Sequence, residues 1–281
     1  MQVIRDPQKL NSVLKLNRHR KSIGFVPTMG ALHAGHLTLM RQATKDNDLV
    51  VVSIFVNPAQ FGPQEDLNKY PRPFKKDMQL CRKLDVDFVF LPDNKVMYTQ
   101  DYSTFVNVGG LSDLLCGASR PGHFRGVATV VAKLLNIVQP DILYLGQKDA
   151  QQATIIAKMI KDLNFPVQLK VMPIVREDDG LALSSRNIYL NRNERTQAVV
   201  LSKALLLAEV LVAHGQSNVV AIINRMKQLI AKKKSVKIDY IAIVDLQMLT
   251  PLKKIKQNCL ITLAVKIGKT RLIDNTIITY A

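Results

Sequence analysis

Two histidines three residues apart, His33 and His36, are the side chains whose spacing most directly suggests chemistry. They lie in residues 27–36, PTMGALHAGH, between an apolar and an amphipathic segment. Residues three apart on a helix project from one face, and imidazoles can hydrogen-bond phosphate oxygens as charge develops on them. A glycine-bearing turn from strand to helix also presents free backbone N–H groups to an anion. The pattern predicts a phosphate site, although an ordinary strand-to-helix turn with surface histidines has the same short motif.

The flanking segments predict the elements that hold this turn. Residues 23–26 are short and apolar, like a buried strand of a parallel sheet, and Leu37, Met40 and Ala43 recur at helical spacing, so a helix begins near Ala34. Further strands are predicted at 49–56, 87–91, 142–145 and 167–171, with helices at 78–84, 127–138 and 150–163. Residues 102–108 are predicted to be extended and residues 111–116 a short helix. The alternation predicts an α/β fold, a doubly wound parallel sheet.

The last third of the chain has a different pattern. Helices are predicted at 195–214 and 218–233, followed by strands at 238–244, 260–267 and 270–279. Helices followed by strands indicate a second, smaller α+β domain. We therefore expect a Rossmann-like domain at residues 1–174 and an α+β domain at residues 175–281.

The chain has 281 residues and a formal net charge of +17. From residue 191 onward there are 15 Lys and Arg against 5 Asp and Glu, including Lys232, Lys233 and Lys234. No aromatic residues are interspersed among these lysines. A solvated basic face is therefore favoured over a specific nucleic-acid site, and binding of an anionic substrate is a second contributor to the positive charge.

The three cysteines are scattered without metal-ligand or disulfide spacing. A reducing cytoplasm is the simplest compartment for such a chain. The N-terminal segment lacks the apolar core of a signal peptide, and no later run reaches the ~18 apolar residues of a membrane span. The sequence thus predicts a cytoplasmic protein with no membrane segment.

Six blocks of sequence resemble the pantothenate synthetase (pantoate–β-alanine ligase) family. They are PTMGALHAGH at 27–36, VNPAQF at 56–61, YPR at 70–72, RPGHFRGV at 120–127, GQKDAQQ at 146–152 and DGLALSSRN at 179–187. The resemblance implies the nucleotidyltransferase-like Rossmann fold. It also implies ATP-dependent condensation of pantoate with β-alanine through a pantoyl adenylate, releasing pyrophosphate and then AMP. A carboxylate is a poor acyl donor until it is linked to AMP as a mixed anhydride. Such a site therefore needs groups that bind the phosphates and position the substrates more than it needs a nucleophilic side chain.

The resemblance also implies roles for individual residues. His36, His33 and Lys148 would be catalytic, with His36 the proton donor and Lys148 a point charge on the phosphates. Asp149 would suit a ribose hydroxyl, Val175 would touch adenine through its backbone, and Ser184, Ser185 and Arg186 would cradle pyrophosphate. The full ATP-binding set would be Met29, Gly30, Ala31, Leu32, His33, Ala34, Gly35, His36, Gly146, Gln147, Lys148, Asp149, Val175, Leu183, Ser184, Ser185 and Arg186.

The acyl substrate would be bound by glutamines. Gln60 and Gln152 would bind pantoate, and Gln60 would also contact β-alanine, since an amide can both donate and accept. Pro27, Met29, Val131 and Leu135 are predicted to form apolar walls, and His123 and Arg125 to stand at the site without an assigned role. Taken alone, a buried glutamine or a Ser-Ser-Arg turn is more often ordinary structure.

Some residues depart from the family pattern. GQKD stands where GEKD is usual, Leu183 replaces Met before SSR, and Lys75 and Lys76 precede a single Asp77 where some members carry an acidic run. We therefore expect Mg²⁺ to arrive with ATP and assign no protein ligand to a metal. The family also implies a homodimer.

Two other functional classes compete with this interpretation. A nucleotidyltransferase making a dinucleotide or a coenzyme A precursor would share the HxGH turn without needing both glutamines. A non-enzymatic RNA-binding protein would be favoured only by the net charge, and salt-dependent RNA binding would reveal it.

Overall fold

The computed structural model describes residues 1–63 and 65–280. Six parallel strands form one sheet, in the order β1-β4-β3-β2-β5-β6. The strands are β1 (Gln2–Ile4), β2 (Ile23–Thr28), β3 (Leu49–Ile54), β4 (Phe88–Phe90), β5 (Ile142–Gly146) and β6 (Gln168–Met172). Because all of them run in one direction, their carboxyl ends lie at a single edge of the sheet. The predicted parallel sheet is confirmed.

Helices cover both faces of this sheet. They are α1 (Pro7–Asn17), α2 (Ala34–Asp46), α3 (Phe74–Lys83), α4 (Asn94–Met97), α5 (Cys116–Ser119), α6 (His123–Val138) and α7 (Ala150–Asp162). Leu14 of α1, Leu135 of α6 and Ile155 of α7 belong to one apolar cluster. Met40 of α2 and Met78 of α3 belong to a second cluster on the opposite face. The sheet is therefore doubly wound, as predicted.

The strand order reverses at β2, since β3 pairs with one edge of β2 and β5 with the other. Ligands of open α/β sheets bind outside the carboxyl ends of the strands at such a switch point. β2 leads into residues 29–33 and β5 leads into residues 147–149. The HxGH and GQKD motifs therefore lie side by side at this switch point.

The C-terminal part of the chain is a smaller α+β unit, as predicted. Three antiparallel strands form a sheet in the order β7-β8-β9. Two of its helices, α9 and α10, contribute Ala204 and Ile222 to the apolar cluster that this sheet shares. The elements are α8 (Arg192–Ala198), α9 (Val200–Ala213), α10 (Val219–Ala231), β7 (Val236–Asp245), β8 (Cys259–Ile267) and β9 (Thr270–Ile278). The division at residues 174 and 175 stays a prediction.

The first two elements, β1 and α1, are not among those that the sequence pattern predicts. β1 is an edge strand of three residues that pairs only with β4, too short for an alternating pattern to stand out. The predicted helix at 195–214 is in fact two helices that meet at Val199. Residues 102–108 adopt irregular backbone, and the predicted helix at 111–116 is a 3₁₀ turn at Leu111–Asp113 followed by α5.

The start of α6 was also predicted wrongly, at residue 127 after Gly126. The helix begins at His123, and Gly126 lies inside it. A Cβ on Gly126 would approach the carbonyl oxygen of Ala59 to 2.1 Å. This glycine thus permits close packing of α6 on the chain that carries Gln60, and its role is not to begin the helix.

One helical stretch, Arg192–Ala213, meets the length and composition criteria of a membrane span, with 22 residues and a hydropathy of 1.7. The sequence pattern predicts no membrane segment. A core helix passes the same test, and the buried residues Ala204, Leu205 and Ala208 pack in the C-terminal core. One such helix is weak support for a membrane segment.

Candidate active site

The turn between β2 and α2 is held by a buried carboxylate. Gly30 and Ala31 are both left-handed, with φ of +82° and +51°, a conformation that costs free energy at a residue with a Cβ. The backbone N–H groups of Ala31 and Leu32 each donate to the Asp77 carboxylate at 2.9 Å. Asp77, on α3, is only 1% exposed. Two hydrogen bonds to one carboxylate therefore stabilise the strained turn.

The two histidines of the turn cap α2 with their ring nitrogens. His33 is the N-cap residue, and its Nδ1 accepts a hydrogen bond from Gly35 N at 3.2 Å. His36 Nδ1 accepts from His33 N at 3.4 Å, which completes a capping box. Because Nδ1 acts as an acceptor in both rings, each neutral imidazole carries its proton on Nε2. Both rings can therefore donate one N–H to a ligand.

Both histidines are neutral near pH 7. Burial lowers the pKa of His33 to about 4, and the nearby charge of Lys148 adds to the effect. Burial lowers the pKa of His36 to about 3, helped by the charges of His33 and Lys148. A neutral imidazole stabilises a phosphate oxygen as a hydrogen-bond donor, without a full positive charge.

Lys148 and Asp149 lie in the 3₁₀ turn that links β5 to α7. Lys148 Nζ is 3.5 Å from Asp149 Oδ1. Burial raises the pKa of Asp149, but the charges of Lys148 and Arg186 outweigh it and hold the pKa below its ordinary value. Asp149 is therefore an ionised acceptor beside the lysine, as a ribose hydroxyl would require.

The Ser-Ser-Arg segment is tied to the loop that follows β3. Arg186 donates to both oxygens of Asp66, from Nε at 3.1 Å and from Nη2 at 3.0 Å. Ser185 Oγ lies 3.2 Å from the hydroxyl of Tyr70. Ser184 Oγ accepts from Arg186 N and caps the short 3₁₀ helix Ser185–Tyr189. Sequence reasoning missed Asp66 and Tyr70, although Tyr70 stands in the YPR block.

Gln60 has its side-chain amide oriented by two neighbours. Its Oε1 accepts from Asn57 Nδ2 at 3.1 Å, and its Nε2 lies 3.1 Å from the sulfur of Met29. Asn57 is 1% exposed and also donates to the carbonyl of Gly126. The amide oxygen and one N–H are thus engaged, and the second N–H of Gln60 is the one left to face a ligand.

The backbone carbonyl of Gln60 is held as well. His123 Nδ1 is 2.8 Å from this oxygen, and Arg120 lies 2.9 Å from the other ring nitrogen of His123. Arg120 also pairs with Glu65, its Nε donating to Oε1 at 2.6 Å. Burial and the charge of Arg120 lower the pKa of His123 to about 4. His123 is therefore a neutral support for Gln60, whereas Arg125 lies elsewhere, 4.0 Å from the centre of the Phe105 ring.

Two adjacent glutamines on α7 differ in what they contact. Gln151, 7% exposed, donates from Nε2 to the carbonyls of Leu111 and Leu114 and accepts at Oε1 from Cys116 N. Gln152 is half-buried and faces the cavity at the switch point. Gln151 thus fixes the fold around residues 111–116, and Gln152 is available to a ligand.

A cavity of about 230 Å³ lies among these groups and adjoins a wider cleft of about 1370 Å³ that the C-terminal sheet borders. Most of the predicted site residues line the smaller cavity, but Gly30, Ala31, Leu32, Ala34 and Gln147 do not. Leu134 lines it where Leu135 was predicted. The predicted residues on its wall are Pro27, Met29, His33, Gly35, His36, Gln60, His123, Val131, Gly146, Lys148, Asp149, Gln152, Val175, Leu183, Ser184, Ser185 and Arg186.

The cavity wall offers donors for an anion and few acceptors for a cation. Within residues 1–63 and 65–280, no three His, Cys, Asp or Glu side chains cluster so as to hold a metal ion. Asp77 is committed to the backbone of the turn. The arrangement can bind a polyphosphate between two helix starts, with an amide-lined apolar pocket beside it.

Comparison with known proteins identifies relatives of this chain. A family model described as Pantoate-beta-alanine ligase matches residues 2–277. The pantothenate synthetase of Pseudothermotoga lettingae is 51% identical over 278 residues, covering 99% of both chains. That of Fervidobacterium nodosum is 53% identical over 275 residues, covering 96% of this chain and 98% of the relative.

Solved structures agree with this assignment. The pantothenate synthetase of Thermus thermophilus superposes with a TM-score of 0.94 at 42% identity, covering 98% of this chain and 99% of that one. A pantoate-beta-alanine ligase from Francisella tularensis, complexed with beta-gamma ATP and beta-alanine, gives a TM-score of 0.83 at 37% identity, covering 99% and 97%. The resemblance noted from the sequence blocks is confirmed, and the chain belongs to the pantoate–β-alanine ligase family.

Proposed function

We propose that this protein condenses pantoate with β-alanine in two steps at the cavity between β2 and β5, using ATP to activate the carboxylate. The observation that carries the proposal is the meeting of His33, His36 and Lys148 at the switch point, beside Gln60 and Gln152. A phosphate-binding group and an amide-lined pocket side by side suit the attack of an acid on a nucleotide. Family membership supports the same reaction.

In the first step, a carboxylate oxygen of pantoate attacks the α-phosphorus of ATP. A C–O–P linkage forms, the bridging bond from the α-phosphorus to the β-phosphate oxygen breaks, and pyrophosphate leaves. Negative charge grows on the phosphate oxygens during this step. His33 and His36 donate Nε2–H groups to that charge, and Lys148 supplies a positive charge beside it. Ser184, Ser185 and Arg186 bind the leaving pyrophosphate.

The acyl substrate lies against the amides and the apolar wall. Gln152 and the free N–H of Gln60 hydrogen-bond the pantoate carboxylate and hydroxyls. Pro27, Met29 and Val131 contact its dimethyl carbon. Asn57, Arg120 and His123 act by holding Gln60, since they contact its side chain or its backbone.

In the second step, the neutral amine of β-alanine attacks the carbonyl carbon of the adenylate. The C–N bond forms, the nitrogen loses one proton to solvent, the C–O bond to the phosphate breaks, and AMP leaves with that oxygen. Gln60 lies at the boundary between the two substrates and contacts β-alanine as well. His36 acts as a hydrogen-bond donor through this step, because its low pKa keeps it neutral and the Nδ1 already accepts from the backbone.

Mg²⁺ would enter as the counterion of ATP and would neutralise part of the phosphate charge. The working unit is a homodimer, as family membership suggests. The three cysteines, Cys81, Cys116 and Cys259, are buried with free thiols, which is compatible with a reducing cytoplasm.

The proposal is tested by mass analysis of the products from ATP, pantoate and β-alanine. We expect pantothenate, AMP and pyrophosphate in equal amounts. A dinucleotide product, or ADP with inorganic phosphate, would instead indicate a nucleotidyltransferase or an acyl-phosphate route.

A further inference from the structure

A buried asparagine of the C-terminal sheet contacts the turn that carries Lys148. Asn275, on strand β9, is 2% exposed. Its Nδ2 donates to the backbone carbonyl of Gln147 at 2.9 Å and to that of Lys148 at 3.0 Å. Its Oδ1 accepts from the Gln147 side chain at 3.3 Å. Both polar atoms of the Asn275 amide thus contact the turn that follows strand β5 of the larger sheet.

The two carbonyls lie on either side of the Lys148 Cα. A peptide unit is planar, so holding the carbonyl before Cα and the one after it fixes both peptide planes. The φ and ψ angles of Lys148 are then fixed, and with them the direction in which its side chain leaves the backbone. A point charge that must meet a phosphate depends on that direction.

The residue before Asn275 holds the other phosphate-binding segment. Asp274, 1% exposed, accepts from Arg176 Nη1 at 2.7 Å and from Nη2 at 3.1 Å. Arg176 also donates to the carbonyl of Gly180 at 3.1 Å and pairs through its backbone with Ala182, in the hairpin that leads to Ser184. Adjacent residues of a strand point to opposite faces, so one short part of β9 reaches both segments.

We propose that Asn275 is a positioning residue for Lys148, through which the C-terminal sheet sets the geometry of the phosphate site. The inference rests on the proposed function, because it concerns the use of ATP. It assigns a function to the adjacent polar residues Asp274 and Asn275, both of which are buried in strand β9. It also gives Gln147 a structural role, because its amide donates to Asn275, which a glutamate at this position could not do.

The test compares Asn275→Ala with Ile278→Ala. Ile278 lies on the same strand and belongs to the C-terminal core, so its truncation lowers thermal stability without touching the Lys148 turn. For Asn275→Ala we expect pantoate-dependent pyrophosphate release to fall on the order of 10- to 100-fold in kcat/KM for ATP. Ile278→Ala should keep the wild-type kcat/KM for ATP. Asn275→Ser serves if the alanine variant does not fold.

A double-mutant cycle on ATP affinity, measured by calorimetry, separates positioning from general stability. The cycle uses wild type, Lys148→Ala, Asn275→Ala and the double variant. If Asn275 acts through Lys148, the double variant binds ATP no more weakly than Lys148→Ala alone. Independent, multiplicative losses would overturn the proposal, as would an Asn275 variant whose kcat/KM for ATP matches that of Ile278→Ala. Wild-type protein inactive with pantoate would refute the proposed function instead.

Discussion

The imidazole rings of His33 and His36 lie with their centroids 4.1 Å apart, and each ring uses Nδ1 to accept a backbone N–H of the turn that carries both. The cap of α2 and the proposed phosphate site are thus built from the same two side chains. Because Nδ1 is occupied in each ring, the Nε2–H groups are the ones that can face a ligand. This pairing explains how two histidines can act together while both remain neutral.

Replacing His36 by alanine should slow adenylation far more than it weakens ATP binding. A donor that contacts charge growing in the transition state acts on the rate. Loss of one such donor costs ~2.7–4 kcal/mol in characterised oxyanion sites, so kcat should fall by roughly 10²–10³. The measurement is pantoate-dependent pyrophosphate release beside ATP calorimetry, with the exposed His19→Ala as the control. Near-normal turnover of the His36 variant would contradict the proposal that this turn stabilises charge on the phosphates.

The depressed pKa values of the histidines predict a specific pH dependence. Between pH 6.5 and about 4 the unfolded chain protonates His33 while the folded protein does not, so stability falls as pH falls through this window. His36 behaves likewise down to about pH 3. Each histidine contributes at most ~1.4 kcal/mol per pH unit.

The activity should respond differently from the stability. Because His33 and His36 are already neutral at pH 7, the adenylation rate of folded protein should show no loss with an apparent pKa near 6.5. Histidine NMR titration, with signals assigned by single replacements, checks this directly. Midpoints near the ordinary histidine value for both rings would contradict the burial argument.

Gln152→Ala should impair the use of pantoate and spare ATP. Leaving a ligand group without its amide partner costs ~1–3 kcal/mol, so kcat/KM for pantoate should fall by about 5- to 150-fold. Gln151→Ala is the matched control, because that amide bonds residues 111–116 and should lower stability instead. The readouts are pyrophosphate release without β-alanine and ATP binding by calorimetry. Equal losses in both would mean that Gln152 serves the nucleotide or the fold.

Asp77→Asn should destabilise the protein and reduce turnover together. The near-isosteric amide keeps one acceptor and leaves one N–H of Ala31 or Leu32 unpaired, at a cost of ~1–3 kcal/mol. Urea unfolding measures this loss, and the exposed Asp178→Asn should change stability by less than ~0.5 kcal/mol. Wild-type stability in Asp77→Asn would show that the turn keeps its shape without the carboxylate.

The local parts of the site could be predicted from the sequence because each lies within a few residues. A glycine-bearing turn after an apolar strand and before an amphipathic helix indicates where an anion site lies and that backbone N–H groups face it. The GQKD turn repeats this pattern. Family resemblance then supplied the proposed roles of Gln60 and Gln152, which periodicity alone does not distinguish from Gln151.

The supporting contacts could not be predicted, because they join distant parts of the chain. Asp77 lies 45 residues from Leu32, Asp66 lies 120 from Arg186, and Asn275 lies 128 from Gln147. The sequence around a carboxylate on a helix does not show whether that carboxylate is buried or exposed. Its burial becomes evident only once the helix is packed. The adjacent polar residues Asp274 and Asn275 in the predicted strand at 270–279 were a partial signal, since polar residues that are buried in a strand require partners.

The most direct test of the account follows the oxygen of the pantoate carboxylate. Pantoate labelled with ¹⁸O in its carboxylate is incubated with ATP, β-alanine and the protein, and the products are analysed by mass spectrometry. If the carboxylate attacks the α-phosphorus at the His33 and His36 turn, AMP leaves with one ¹⁸O and pyrophosphate carries none. Label in inorganic phosphate, or AMP without label, would contradict an adenylate intermediate.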